Sequence, residues 1–137
     1  MKHSYLLLAL LLVVTAGCDK SSTESDDPAS VVIAALTNGI WEISPNTEVG
    51  QIGIQLKFLE DGRAQGRESS STGWYAEYLQ WSLNSDGTVL TMMGTDGPGT
   101  MDVMDILELT GSIFRGRITN STSSEAIGHV VIMFKAE

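Results

Sequence analysis

The feature that most constrains this chain is an alternation of apolar and polar residues that restarts after every Asp-Gly or Gly-rich break. It is cleanest from Gln51 to Phe58, where Ile52, Ile54, Leu56 and Phe58 fall on one face and Gln51, Gly53, Gln55 and Lys57 on the other. A period of two is the mark of a half-buried β-strand. Asp61-Gly62 follows, a hairpin turn signal, and Arg63 to Glu68 reads as the partner strand. Trp74 to Leu83 then places Leu79, Trp81 and Leu83 together, and Asp86-Gly87 turns it into Thr88 to Met93. The run Gly94-Thr95-Asp96-Gly97-Pro98-Gly99 reads as a loop. Beyond it lie strands at Met101 to Leu109, Ile113 to Thr119 and Ala126 to Lys135, the last with Val130, Ile132 and Phe134 in phase and Val131 and Met133 opposing them. With Ile40 to Ser44 the count is eight.

Sequential hairpins of short strands describe an antiparallel up-and-down meander. Its edges must be covered or closed, and closure into a barrel removes them. The expected fold is therefore all-β, an eight-stranded antiparallel up-and-down barrel, with a β-sandwich as the alternative. A short helical turn is expected over Ser30 to Asn38, capped by Ser30 and ended by Gly39. A length of 137 residues allows one such domain.

Ahead of this domain stands a different kind of sequence. Lys2 and His3 precede an apolar run from Tyr5 to Ala16. That run is too short to span a bilayer, which takes about 20 apolar residues, and it has the form of a secretory signal peptide. It ends in Val14-Thr15-Ala16-Gly17-Cys18, which resembles the lipobox of bacterial lipoproteins. In that family the Cys thiol is alkylated with a diacylglyceryl group and the chain is cut just before it. The resemblance implies a signal peptide over 1–17 and a lipid-bearing Cys18 holding the protein to a membrane, in the bacterial cell envelope. Asp19 to Ala29 is polar and acidic with no large apolar residue, so it cannot offset its ordering entropy by burial. It reads as a flexible tether with a span on the order of 20 Å. Residues 18–29 are thus expected as anchor and tether, and 30–137 as the folded domain.

Charge and residue counts exclude several functions. Cleavage after Gly17 leaves seven Lys and Arg against 17 Asp and Glu, a net charge of −10. Phosphate binding needs clustered cations, so nucleic acid is not an expected partner. One cysteine excludes a disulfide framework, and no metal or cofactor is expected. His129 has no His or Cys partner at metal-ligand spacing, no Gly-x-Ser-x-Gly elbow is present, and Asp102, Asp105 and Glu108 read as a solvated strand face. Catalytic residues are expected to be none. Arg115 and Arg117 alternate with Phe114, Gly116 and Ile118, which puts the arginines outside rather than in an inward clamp for a ligand carboxylate.

Gly39-Ile40-Trp41 resembles the Gly-x-Trp signature of the lipocalins, whose Trp packs across the closed end of the barrel. The stretch from Trp81-Ser82-Leu83 through Asp86-Gly87 to Leu90-Thr91-Met92, followed by Ile106-Leu107-Glu108-Leu109-Thr110, resembles the small lipocalin-like domains of bacterial lipoproteins. The resemblance covers Leu36 to Phe134 and implies a non-enzymatic binding protein. Two readings follow. In the first, a small apolar or amphipathic molecule occupies the barrel, lined by Trp41, Leu56, Phe58, Trp81 and Met92. In the second, the core is filled and the domain is a protein-interaction module, an envelope adaptor or inhibitor. Trp74 and Tyr78, opposite Leu79 and Trp81 in phase, would then form its exposed surface.

Overall fold

Each apolar-in, polar-out segment becomes a strand, and each turn signal becomes a hairpin. The computed structural model describes residues 27–49, 52–95 and 99–136. Eight strands follow in chain order: β1 (Ile40–Ile43), β2 (Gln55–Phe58), β3 (Arg63–Arg67), β4 (Tyr75–Leu83), β5 (Val89–Gly94), β6 (Met101–Leu109), β7 (Ile113–Ser121) and β8 (Val130–Ala136). Every strand pairs antiparallel with the next, and β8 pairs with β1, from Ile40 opposite Ala136 to Ile43 opposite Met133. The sheet is a closed eight-stranded up-and-down barrel, so the sandwich alternative is excluded. The signal segment, Cys18 and tether residues 19–26 lie outside the described residues.

The two Asp-Gly turns work as their chemistry requires. Gly62 and Gly87 both take positive φ, at +83° and +67°, a region that L side chains rarely enter. Around Gly87, Asn84 Oδ1 accepts from the amides of Thr88 and Val89, both at 2.9 Å.

Among the described residues, one α-helix, α1 (Pro28–Thr37), precedes the barrel and caps one end. It starts one turn earlier than the sequence pattern suggests. Asp27, not Ser30, is its N-cap and accepts from the Ala29 amide at 3.2 Å, and Pro28 occupies the first turn, where its missing N–H costs nothing. The first two helical residues therefore come from the stretch expected as tether. The helix packs its start on the β4–β5 turn: a Cβ on Gly87 would lie 3.0 Å from Ala29 Cα. At its other end Leu36 is fully buried, and the Leu36 carbonyl accepts from Trp41 Nε1 at 2.8 Å.

Below this cap the interior is filled. Trp41, Leu56, Phe58, Leu90 and Phe114 are all buried. Phe58 meets Trp81 edge to face with ring centroids 5.5 Å apart, a favoured arrangement of two aromatic quadrupoles. Trp81 Nε1 donates to the carbonyls of Leu59 and Arg63, each at 3.0 Å, so neither tryptophan buries an unpaired N–H.

Three expected strands change. β2 begins at Gln55 rather than Gln51, and Ile52 is 61% exposed in the turn before it. Glycine at Gly53, with φ +80°, ends the alternation there. β8 begins at Val130 rather than Ala126, after a short 3₁₀ turn at Ser124–Ala126, and one of its two apolar faces turns inward. Val131 and Met133 point into the core while Phe134 is 42% exposed. The strand is apolar on both faces, so alternation could not choose; pairing of Phe134 opposite Glu42 and Ile113 on the outer face does. In β6, an irregularity between Ile106 and Glu108 shifts the register against β7. Met104 is buried, Leu107 is exposed, and Leu109 packs on the core again.

Candidate functional site

The strand polarity gives the barrel two unlike ends. The end under α1 carries the short turns after β2, β4 and β6. The other end carries the longer connections β1–β2, β3–β4, β5–β6 and β7–β8. Here the core stops short of the rim and leaves a recess of about 500 Å³. Its floor is apolar, with Ile43, Val49, Met92, Ile118, Ala126 and Val131; its rim is polar, with Asp102, Ser121, Thr122, Ser123, Glu125 and His129. A second recess of about 250 Å³ lies beside it under Tyr78 and Leu79, and the two share Met92, Thr100 and Asp102. Together they make one mouth with Asp102 between its lobes.

The register explains the position of Asp102. Met92 of β5 pairs with Asp102 of β6, which pairs with Ser121 of β7. Asp102 is two residues from buried Met104 and so shares its inward phase. This corrects the reading of Asp102, Asp105 and Glu108 as one solvated face. Asp105, an odd number of residues from Asp102, is exposed, and Glu108, beyond the register shift after Ile106, pairs with Arg115 across 3.7 Å at the exterior. Ser121 Oγ donates to Asp102 Oδ1 at 2.6 Å and itself accepts from the Ser123 amide at 3.0 Å. The hydrogen bond that the Ser121 hydroxyl donates goes to a carboxylate.

His129 lies at the rim, just before β8, and its Nδ1 is 3.1 Å from Glu48 Oε2. The same Glu48 oxygen accepts from the Val130 amide at 2.9 Å. The Val130 N–H first, and His129 second, hold the Glu48 carboxyl below the usual range. One residue earlier, Thr47 Oγ1 donates to the Ile132 carbonyl at 2.8 Å and accepts from its amide at 2.9 Å. The β1–β2 connection is thereby pinned onto β8 along one side of the mouth.

The five residues expected to line a ligand site divide between the ends. Trp41, Leu56, Phe58 and Trp81 are buried in the filled end. Met92 alone of the five reaches the recess. The two expected surface aromatics do not form one surface. β4 carries two more residues than β3 between the Ala64–Leu79 and Gly66–Tyr75 pairs. This bulge turns Tyr78 inward, where its ring packs against the core and over Gly66. Trp74 stays at the exterior, half-buried, with the Arg67 guanidinium 4.3 Å from its ring centre. Arg67 Nε donates to Gln55 Oε1 at 2.8 Å, and Gln55 Nε2 donates to Glu42 Oε2 at 2.9 Å. The exposed aromatic of β4 is Tyr75, at 59%, which strict alternation along β4 could not distinguish from its neighbours.

Arg115 and Arg117 are exposed outside the barrel, and among the described residues no Lys or Arg lines either recess. Among the described residues, no group of three or more His, Cys, Asp or Glu is placed to hold a metal ion. In comparisons with known proteins, no family model, no curated protein and no solved structure matches the chain.

Proposed function

We propose that this chain is a non-enzymatic binding protein of the bacterial cell envelope, lipid-anchored through Cys18, that holds a small apolar or amphipathic molecule in the open mouth of its barrel. The observation that carries the reading is the division of the interior. One end is packed solid beneath a helix, while the other keeps a recess of about 500 Å³ over an apolar floor. Ligand sites are concave, mostly apolar and of roughly 300–1,000 Å³, with a few polar groups for orientation. The site therefore moves from the tryptophan-lined depth to the floor made by Met92, Ile118 and Val131. The anchor suits this polarity, because the chain joins the barrel at the closed end, where α1 begins beside the β4–β5 turn.

The test is a titration of the Cys18→Ser chain with the neutral fluorescent probe N-phenyl-1-naphthylamine. The expected result is saturable uptake of one equivalent. Ala126→Trp, which puts an indole on the floor, weakens uptake by about tenfold or more, and Val49→Trp does the same. Uptake unchanged by both substitutions places the probe elsewhere and overturns the reading.

A further inference from the structure

Among the described residues, the mouth has one charged group common to both of its lobes. Asp102 lines the larger and the smaller recess alike, so a molecule filling either one meets its carboxylate. The group is preorganised. Ser121 Oγ donates to its Oδ1 at 2.6 Å, and the Ser123 amide fixes that hydroxyl in turn at 3.0 Å. A carboxylate offers about four acceptor positions, and Ser121 takes one of them. The remaining rim charges have the same sign or are already paired. Glu125 is a second carboxylate, and His129 faces Glu48 at 3.1 Å. Among the described residues, neither lobe contains a Lys or Arg.

From this arrangement we infer that the ligand is a cationic amphiphile, with an ammonium head on Asp102 and an apolar tail on the floor made by Met92, Ile118 and Val131. The inference rests on the ligand-binding reading above and deepens it. An ammonium supplies hydrogen-bond donors together with a charge, and charge-assisted bonds are roughly twice as strong as neutral ones. A carboxylate head would meet Asp102 and Glu125 with no cation to offset them, and like charges in a partly desolvated site repel strongly. A neutral alcohol can donate to Asp102 but gains no Coulomb attraction. The acidity of the domain as a whole adds a weaker and longer-ranged attraction for cations, which salt screens. Asp102 is one negative charge among many, so its own contribution can be isolated by removing it.

The experiment displaces N-phenyl-1-naphthylamine from the Cys18→Ser chain with decylammonium, decanol and decanoate, each below its micelle concentration, at neutral pH. Decylammonium is expected to displace the probe at a concentration about tenfold lower than decanoate, with decanol between them. In Asp102→Asn, whose fold is checked by its thermal midpoint, the ammonium preference is expected to fall to about threefold or less. Decanoate displacing as well as decylammonium, or a folded Asp102→Asn chain with its preference unchanged, overturns the assignment while leaving a pocket ligand in place. Should Asp102→Asn not fold, the order of the three probes on the parent chain decides. Failure of the probe and all three competitors to bind overturns the ligand-binding reading itself.

Discussion

At the scale of single residues, the interior is set by close approaches that only small side chains permit. Gly66 is the clearest case. A Cβ built on it would lie 2.5 Å from Tyr78 Cγ, nearer than any real contact, so the ring of Tyr78 can turn inward only because the residue across the sheet has no side chain. Gly66→Ala is expected to cost about 1–3 kcal/mol, the usual range for overpacking, read as a lower urea midpoint with an unchanged slope. It also displaces Tyr78 from the smaller lobe of the mouth. This pairing was not legible in the sequence. Period-two counting puts Tyr78 opposite Leu79 and Trp81, and it holds only while the strand has no bulge. By contrast, the inward phase of Leu79 and Trp81 and the outward phase of Arg115 and Arg117 could be read directly, because the strands there keep their alternation where these residues fall.

At the scale of elements, the eight strands and their order were readable because each boundary carries a turn residue with a specific backbone demand. What was not readable lay where both faces of a segment are apolar. β8 offers Val131 and Met133 on one side and Ile132 and Phe134 on the other, and its register against β1 and β7 makes the choice. The same strand receives the β1–β2 connection through Thr47 and Glu48. Because the Glu48 carboxyl sits below its ordinary pKa when folded, the stability it contributes is present above the unfolded value and is lost as pH falls through the folded one. Glu48→Gln is expected to flatten the decline of the thermal midpoint on acidification through and below the ordinary carboxylate range. An equal decline in both chains would show that Glu48 does not tie this connection down.

At the scale of the whole molecule, the barrel is a polar object with a closed end and an open one, and the segment before α1 joins it at the closed end. Residues 19–26 separate Cys18 from the helix cap, a reach of about 28 Å at full extension. Under the proposed anchoring, the mature charge of −10 would disfavour docking on anionic lipid, and attachment would depend on the acyl chains. One chain alone holds only marginally, at about 0.8 kcal/mol per buried CH₂, whereas two or three hold firmly. Cys18→Ser is accordingly expected to move the protein from the membrane fraction to the soluble fraction; retention in the membrane would contradict the anchor. The barrel was legible in sequence, because its turns and alternation repeat along the chain. The position of the open recess was not, since the tryptophans that mark a barrel from its sequence are the same residues that plug its closed end.

The most direct test of the central claim, that the open end is a ligand site, compares native and denaturing mass spectra of the Cys18→Ser chain purified from its own cells without detergent. The account predicts a reproducible extra mass, one small molecule per chain, present in the native spectrum and lost on denaturation. A bare chain mass in both spectra, from a protein that also takes up no added N-phenyl-1-naphthylamine, would contradict it.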